Sequence, residues 1–570
     1  MKRTIVWFRR DLRLCDHAPL YRAAIRGQVI PVFIFDRALL HHPETAVSRV
    51  GFMIQALAAL DQDLRKRGGR LVIRHGDPAI VLPQLITETG AEGVYAYLDY
   101  ERIYGRVRDA NVNAALRKQG QRIRWFEPTA GMADLVSYPS YRSHWFKEMS
   151  LPMVPVPEVV QTPLEIPSDP LPSLFSLGLV ADRKKIPPAS TEDARQLLNT
   201  FLAEKSDRYY WQLSLPSAEA TTGLSPHLKF GVISIRECFQ TAQNRLKGES
   251  DHRIRLSLKQ LIARLRWGSG FAQRFRYLPQ LELRSLYTVF ESEGWTFDES
   301  LYTAWKNGQT GFPMVDAAAR CLQETGGWLA MNFRTRAIYS SFLSNLLGMD
   351  WRYGALHFMR HLIDGDCPID HYQWAMQAGV THCLDKSWTR IYNPEQAAID
   401  RCDPEGRFIK HWIPELKRVA SVQLGVPPKS AGYLPPIVNY KQVRQQRVKQ
   451  LERQRQSFRQ TPDILPFLAR MPESVIPFGS DRFESSEIQW AQGQVGPLFP
   501  PALDLESLDP IASQALRSWL VAHGQIHPAS SKSKRTSRTP KTSRQRSPQE
   551  AQTQQLDFLN DLNGLNDLNG

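Results

Sequence analysis

Short β-rich runs alternate with helical ones over the first 130 residues, and this alternation restricts the fold more than any other feature. The strand candidates are residues 4–8, 29–35, 70–74, 93–97 and 122–126. Helical patterns such as 48–66 and 107–118 lie between them. Since strands joined by crossover helices run parallel, residues 1–130 are predicted to form an α/β domain with a doubly wound parallel sheet.

The turn after the first strand carries no glycine-rich phosphate-binding motif. It reads WFRRDLR at residues 7–13, where a dinucleotide-binding sheet would show GxGxxG. The sequence therefore does not predict a dinucleotide in the usual crevice of this sheet.

The rest of the chain divides by composition. Residues 131–190 are rich in Pro and Ser and are predicted to be an interdomain linker. From 191 to 460 the periodicity is helical, which predicts a second, all-α domain whose last part, 437–460, is a basic and solvated helix. Residues 461–570 are predicted to be a mostly disordered extension with one helix at 510–523 and a basic low-complexity tail.

Charge and cysteine usage restrict the class of protein. The formal net charge of +15 favours an anionic partner such as nucleic acid, although part of the excess lies in the tail. The six Cys form no CxxC pair, which excludes a zinc, iron–sulfur or disulfide pattern and fits a reducing cytoplasm. No stretch approaches the ~18 apolar residues of a membrane span, so a non-membrane protein is expected.

The segment most indicative of chemistry is DGDCPIDHYQW at residues 364–374, with Trp351 upstream. A buried carboxylate needs a partner, and Arg334 and Arg336 are the nearest candidates in the sequence. An Arg–Asp pair beside aromatic rings would suit a flat, polar, redox-active ligand such as a flavin. The alternative interpretation is a solvated helix end with ordinary surface ion pairs.

Several segments, in their order and spacing, resemble the photolyase/cryptochrome family over roughly residues 1–440. They are WFRRDLR at 7–13, TTGLSP at 221–226, GQTGFPMVDA at 308–317, DWR at 350–352, HLIDGD at 361–366 and RIYNP at 390–394. The resemblance implies an N-terminal antenna domain and a C-terminal helical domain that binds FAD.

The resemblance also implies roles for individual residues around FAD. The positions that match FAD-binding residues of the family are Tyr209, Thr221, Thr222, Gly223, Leu224, Ser225, Arg336, Asp364, Asp366 and Asp370. Arg336 and Asp364 match a salt bridge that stacks on the flavin ring, and Asp366 matches the acceptor for the flavin N3–H. The hydroxyls and backbone N–H groups of 221–225 can hold a pyrophosphate, and the same segment also reads as an N-capped helix start.

Asp370 falls where a side chain of the family faces the flavin N5. Repair enzymes of the family usually carry Asn there, and plant cryptochromes carry Asp. A carboxyl buried beside an apolar ring has its neutral form favoured, so Asp370 could donate a proton to the flavin.

An electron relay to the flavin is implied by three aromatic positions. Trp295 and Trp351 match its distal and middle members by their spacing, and Tyr372 takes the proximal position if the segment after Asp370 is two residues shorter than usual. Rings of this kind are more often core residues, which is the alternative interpretation.

The pocket that would face DNA departs from the family pattern. Trp267 and Trp374 match the pair that cradles a flipped pyrimidine dimer, and with Asp370 they are the expected catalytic residues. Arg264 stands where the family carries a dimer-binding Glu, so it would contact phosphate or a base edge instead; Arg334 is the other expected DNA contact.

These observations predict a DNA photolyase: a cytoplasmic, monomeric flavoprotein that splits cyclobutane pyrimidine dimers in UV-damaged DNA. An antenna chromophore, either a deazaflavin or methenyltetrahydrofolate, is a further expectation. One alternative is a cryptochrome-type photoreceptor that signals to a protein partner through the C-terminal extension. The other is a non-catalytic nucleic-acid-binding protein that uses its basic tail.

Overall fold

The computed structural model describes most of the chain up to residue 460. The described residues are 2–42, 44–99, 101–128, 138–277, 279–282, 285, 290, 295–380 and 391–460. The predicted extension at 461–570, with its helix at 510–523, lies outside them.

The N-terminal domain is the predicted doubly wound sheet. Its strands and helices are β1 (Lys2–Phe8), α1 (Ala18–Ala24), β2 (Gly27–Phe35), α2 (Arg37–Leu40), α3 (Val47–Arg65), β3 (Val72–His75), α4 (Pro78–Thr89), β4 (Val94–Tyr97), α5 (Ile103–Lys118) and β5 (Ile123–Phe126). All neighbouring strands pair in parallel, in the order β3-β2-β1-β4-β5. The order reverses between β1 and β4, so the carboxyl ends of these two strands form the crevice of the sheet.

Strand β1 shows why the sheet needs cover on both faces. Successive side chains of a strand point to opposite faces, and here Ile5 and Trp7 join one apolar core while Val6 and Phe8 join the other. All four are buried. The second of these cores continues into the helical domain and includes Phe230, so the two domains share an apolar interface.

The described part of the predicted linker, residues 138–190, packs against both domains. It contains the helix α6 (Tyr138–Met149), whose buried Trp145 donates from Nε1 to Ser269 Oγ at 3.0 Å. Farther on, Val29 N donates to Gln161 O at 2.8 Å. Composition rich in Pro and Ser marks irregular backbone, but buried anchors such as Trp145 hold that backbone in place.

The second domain is helical, as predicted. Its helices are α7 (Thr191–Thr200), α8 (Tyr209–Gln212), α9 (Ser225–Lys229), α10 (Ile235–Lys247), α11 (His252–Tyr277), α12 (Glu299–Lys306), α13 (Pro313–Thr325), α14 (Phe333–Ser341), α15 (Trp351–His361), α16 (Cys367–Ala378), α17 (Gln396–Cys402), α18 (Arg407–Trp412) and α19 (Tyr440–Gln460). Helices α14, α15 and α16 pack against one another and carry most of the residues singled out in the sequence. Among the described residues, no helix is both long and apolar enough to cross a membrane.

Most of helix α19 is exposed, as its composition predicts, but one face of the helix is packed. Arg447 is buried and donates to Asn345 Oδ1 at 3.1 Å and to the carbonyl of Ala378 at 2.7 Å. Leu451 and Gln454 are also buried. A long side chain such as Arg can cover apolar surface and still satisfy its polar end, so a scarcity of apolar residues did not exclude a packed face.

The turn after β1 docks directly on the helical domain. Leu12 N donates to Phe230 O at 3.1 Å, and the next residue, Gly231, has φ +61°. A Cβ on Gly231 would lie 2.3 Å from Arg10 O, so this close approach requires glycine. On the other side, buried Arg49 of α3 donates to the carbonyls of Met359 and Leu362 at the end of α15. The interface therefore fixes the sheet crevice over α15 and α16.

Candidate functional site

A cavity of about 490 Å³ lies where the sheet crevice meets the helical domain. Its walls come from the turn after β1, the end of β4, the 222–225 segment, α11, α14 and α16. Of the residues predicted to bind FAD, those that line it are Tyr209, Thr222, Leu224, Ser225, Arg336, Asp364, Asp366 and Asp370. Its volume is in the range of pockets that enclose cofactors and other organic ligands.

Arg336 and Asp364 form the predicted ion pair. Arg336 Nη2 lies 3.0 Å from Asp364 Oδ2 and 3.1 Å from Oδ1, and Nε donates to the carbonyl of Met331. Asp364 is nearly buried while the Arg336 side chain is 28% exposed toward the cavity. The pair therefore presents a fixed, flat guanidinium on the cavity wall.

Asp366 connects the cavity to the N-terminal domain. Its Oδ2 accepts from Arg10 Nη1 at 3.3 Å and from Lys229 Nζ at 3.5 Å. Glu101 forms an ion pair with both of these cations. Burial lowers the pKa of Lys229 to about 7, even though Asp366 opposes the shift. The sequence reasoning missed Arg10 and Lys229 here, although Arg10 stands inside the WFRRDLR motif and could have been found there.

Asp370 is the carboxyl most strongly perturbed in the cavity wall. Burial, followed by the negative charge of Glu44, raises its pKa well above the ordinary value, and Arg336 opposes this only in part. Its Oδ2 is buried and has no hydrogen-bond partner among the described residues. The neutral form of Asp370 is therefore favoured, and in that form the carboxyl can donate a hydrogen bond or a proton.

A buried ion cluster lies behind Asp370. Glu44 accepts from Arg102 Nη1 at 2.8 Å and contacts His371 Nε2 at 3.1 Å, and Arg102 also pairs with Glu282 at 3.0 Å. Because Glu44 belongs to the N-terminal domain and His371 to α16, the cluster ties the domain interface to the helix that carries Asp370. None of these residues was singled out from the sequence, since their separations along the chain give no local signal.

The 221–225 segment divides between two pockets. Thr222, Leu224 and Ser225 line the cavity, whereas Thr221 lines a second pocket outside it. Just before α9, Thr222 Oγ1 accepts from Leu224 N at 3.3 Å, while Leu224, at the cap position itself, makes no side-chain cap bond. Gly223 has φ +72°, and its carbonyl accepts from Trp328 Nε1 at 2.9 Å, which fixes the turn.

Trp374, and not Tyr372, lines the cavity wall on α16. Residues four apart share a helix face, so Asp370 and Trp374 point the same way, while residue 372 points away. Tyr372 instead packs on Phe271 with a centroid distance of 5.2 Å. Trp374 therefore places an aromatic ring at the cavity wall, and no shortening of the segment after Asp370 has to be assumed.

Trp374 is packed between aromatic rings of the core. Its ring centroid lies 4.9 Å from Phe358 and 6.3 Å from Trp305. A Cβ on Gly354 would come within 2.1 Å of Trp374 Cη2, so glycine there allows the indole to lie against α15. Trp305 continues to Tyr302 at 5.8 Å in a stacked arrangement.

The two other predicted relay residues are Trp351, at the start of α15, and Trp295, which precedes α12. Trp351 is fully buried, and its ring contacts His371 at 6.1 Å. Trp295 is partly buried, and the Arg447 guanidinium lies 4.9 Å from its ring centroid. The described ring contacts join Trp374 to Trp305, which the sequence analysis did not single out.

The second pocket, of about 240 Å³, opens beside the cavity and is called the outer pocket below. Its described lining residues are Tyr209, Leu213, Thr221, Arg264, Trp267, Gly268, Phe271, Asn332, Phe333, Ile369 and Gln373. The sequence interpretation pairs Trp267 with Trp374, but the structure separates them, because Trp267 lines the outer pocket and Trp374 the cavity.

Arg264 and Arg334 are the two expected DNA contacts. The Arg264 guanidinium lies 4.4 Å from the Trp267 ring and 4.8 Å from the Phe333 ring. Arg334 donates to the Tyr392 hydroxyl at 2.8 Å. Arg264 also donates to the Tyr209 hydroxyl. Both residues line the cavity and the outer pocket, so this bond forms part of the wall between the two.

The charged residues at the carboxyl end of the sheet are paired with one another. Arg108 contacts Asp99 and Asp109 at 3.0 and 2.9 Å, and Arg9 pairs with Asp109 at 2.8 Å. Asp99 Oδ1 also lies 2.8 Å from Arg10 Nη2. These pairs account for the charged residues at the carboxyl end of the sheet without requiring a chromophore.

Fold and cavity together define a two-domain protein in which a doubly wound sheet closes over a helical cofactor site. Residues 4–129 match the family described as DNA photolyase, and residues 261–453 match the FAD binding domain of DNA photolyase. The chain belongs to the photolyase/cryptochrome family.

Relatives and solved structures agree with this assignment. The deoxyribodipyrimidine photo-lyase of Synechococcus is 33% identical over 81% of this chain and 99% of the relative. Cryptochrome-2 of Arabidopsis thaliana is 31% identical over 73% of this chain and 71% of the relative. The crystal structure of a bacterial class III photolyase from Agrobacterium tumefaciens matches with a TM-score of 0.70 and 27% identity, over 80% of this chain and 98% of that one.

The residues present fit FAD. The guanidinium of Arg336 and the carboxyl of Asp370, whose neutral form burial favours, offer donors on one wall, while Asp366 offers an acceptor. Two residues of the cavity lining, Asp370 and Trp374, carry a buried polar atom without a hydrogen-bond partner in the described part of the chain. Such atoms are costly unless a ligand or water satisfies them, which supports a polar aromatic ligand in this space.

Proposed function

We propose that this chain is a light-driven DNA photolyase that splits cyclobutane pyrimidine dimers. The observation that carries this proposal is the junction of two pockets: a cofactor-sized cavity bordered by Arg336, Asp364 and Asp370, and an outer pocket with Trp267 at its side. Bound FAD would supply the light absorption and the one-electron chemistry. The protein supplies orientation, exclusion of water and contact with the damaged bases.

The reaction needs no nucleophilic side chain. Splitting the dimer breaks the two carbon–carbon bonds that join the pyrimidines and restores the C5=C6 double bond of each base. The electron lent to the dimer returns, so no net redox change results. Arg336 and Asp364 hold the cofactor in place. Trp267 offers an aromatic face for an unpaired base, and Arg334 and the net charge of +15 favour the phosphate backbone.

Trp374 is the proposed inner member of the electron relay, in place of Tyr372. It borders the cavity one helical turn from Asp370, and ring contacts continue from it to Trp305 and Tyr302. Tyr302 contacts Tyr353 at 5.7 Å, close to the protein surface. Trp351 and Trp295 stay the predicted middle and distal members of the relay, as the resemblance implies.

Asp370 gives one observation in favour of the photoreceptor as a second candidate. A neutral carboxyl at the cavity wall can transfer a proton to a reduced cofactor, and lasting protonation suits a signalling state. Photorepair separates the two candidates: the purified, reduced protein should restore pyrimidines in dimer-containing DNA under blue light only. Absence of repair would contradict the photolyase.

Further parts of the proposal concern the setting of the protein. We expect a cytoplasmic monomer that acts on UV-damaged DNA, with an antenna chromophore of the deazaflavin or folate class in the N-terminal domain. A protein partner for residues 461–570 belongs to the photoreceptor alternative.

The raised pKa of Asp370 predicts an unusual pH dependence of stability. The folded protein keeps a proton on Asp370 that the unfolded chain releases above its ordinary pKa of about 4, so this residue destabilises the fold increasingly as pH rises from 4 to 7. Asp370→Asn should therefore be more stable than the natural protein at pH 7, and the difference should shrink toward pH 4. Denaturant unfolding at several pH values measures this.

Asp63→Asn is the matched control, because Asp63 pairs with Lys66 at the protein surface. It should give no pH-dependent gain. A variant at Asp370 that is destabilised equally at pH 4 and pH 7 would show that this carboxyl is ionised in the folded protein.

A further inference from the structure

The outer pocket is rich in hydrogen-bond donors. Three of its lining side chains carry a buried N–H with no acceptor among the described residues: Arg264 Nη2, Trp267 Nε1 and Asn332 Nδ2. The Asn332 side-chain oxygen is already engaged, since it accepts from Thr335 N at 3.0 Å. None of the described lining residues is Asp or Glu. A ligand that matches this pocket therefore presents acceptors.

Arg264 is held in a defined position within this pocket. Its guanidinium lies between the rings of Trp267 and Phe333, and it donates to the Tyr209 hydroxyl. The two aromatic rings, with centroids 4.4 and 4.8 Å away, and the bond to Tyr209 restrict the guanidinium, and its Nη2 is left as a buried donor without an acceptor among the described residues. Arg264 lines both the outer pocket and the cavity, so the guanidinium lies at the junction of the two.

The edges of the pyrimidines differ in what they can offer this guanidinium. A flipped base is recognised on its Watson–Crick edge. Thymine presents an N3–H donor between two carbonyls, whereas cytosine presents O2 and N3 as adjacent acceptors. Guanidinium only donates, so two of its N–H groups match cytosine O2 and N3, while thymine sets N–H against N–H.

We propose that Arg264 makes the outer pocket selective for pyrimidine dimers that contain cytosine over dimers of two thymines. This selectivity rests on the proposed photolyase function and assigns its preferred substrate. Because one polar group stays unmatched in a buried site, binding of the thymine dimer should be weaker by about tenfold or more.

The test uses full-length, FAD-loaded protein and oligonucleotides that differ only in the central dimer: thymine–thymine, thymine–cytosine or cytosine–cytosine. The cytosine dimers are used before they deaminate, because the uracil formed would carry an N3–H. Dissociation constants in the dark and repair yields in light are both measured. Cytosine-containing dimers are expected to bind at least about tenfold more tightly than the thymine dimer.

Two variants identify Arg264 as the cause. Arg264→Glu places an acceptor at this edge and should reverse the preference, and Arg264→Gln, which can both donate and accept, should remove it. Unchanged FAD absorbance and melting temperature establish that each variant is folded. If Arg264→Glu fails to fold, Arg264→Gln and the preference of the natural protein still decide the matter.

Each other outcome counts against the proposal in a distinguishable way. Equal affinity of the natural protein for all three dimers would overturn the selectivity and leave the photolyase function standing. Equal loss of affinity for all dimers in Arg264→Gln would mean that Arg264 contacts the phosphate backbone and not a base edge. No binding or repair of any dimer would overturn both the selectivity and the photolyase function.

Discussion

Asp364→Ala is expected to give a folded protein that retains almost no FAD. The substitution leaves the Arg336 guanidinium without the carboxylate that holds it at the cavity wall. Loss of this fixed contact is expected to weaken FAD binding by roughly 100-fold. The ratio of flavin to protein absorbance after purification measures the effect.

Asp63→Ala is the matched control for this substitution. It removes an Asp of a surface ion pair, with Lys66 at 2.8 Å, and should leave FAD content unchanged. FAD retained by Asp364→Ala at the level of the natural protein would contradict the assignment of the cavity as the cofactor site.

Trp374→Phe is expected to nearly abolish light-driven reduction of bound FAD, whereas Tyr372→Phe should leave it almost unchanged. The reason is position: Trp374 borders the cavity and contacts Trp305, while Tyr372 packs away from it on Phe271. Phe keeps an aromatic ring in the packed site but removes the readily oxidised indole. Absorbance changes of the oxidised, FAD-loaded protein under blue light provide the measurement.

FAD content and chemical reduction serve as controls, since both variants must bind the cofactor and accept electrons from an external reductant. If Tyr372→Phe loses photoreduction and Trp374→Phe keeps it, then Tyr372, and not Trp374, is the inner member of the relay. Loss in both variants would place both rings in the relay.

Local patterns predicted the sheet, because alternating strands and helices specify parallel pairing. The carboxylate-rich turn indicated a cationic partner but left Arg334 and Arg336 open, and the Arg336–Asp364 pair followed from the family resemblance. On α16, spacings and an assumed two-residue deletion put the relay position at Tyr372, and that role stays a prediction. Helical periodicity alone, with Asp370 and Trp374 four residues apart, would have put both on one face.

Other parts of the site depend on contacts between distant segments. Asp366 meets Arg10, and His371 meets Glu44, across the domain interface. No periodicity or motif spacing reveals which residues of one domain face another. The same reason applies to α19, where the buried Arg447 finds its acceptors on α16 and on the segment after α14.

Photorepair by the chemically reduced, full-length protein tests the central claim most directly. Single- and double-stranded DNA with a defined cyclobutane dimer is illuminated with blue light, restored pyrimidines are counted, and Asp364→Ala and a dark sample serve as controls. A photolyase predicts restored pyrimidines in light, none in the dark and almost none with Asp364→Ala. Photoreduction of FAD in a protein that restores no dimer of any composition would contradict that claim and favour the photoreceptor.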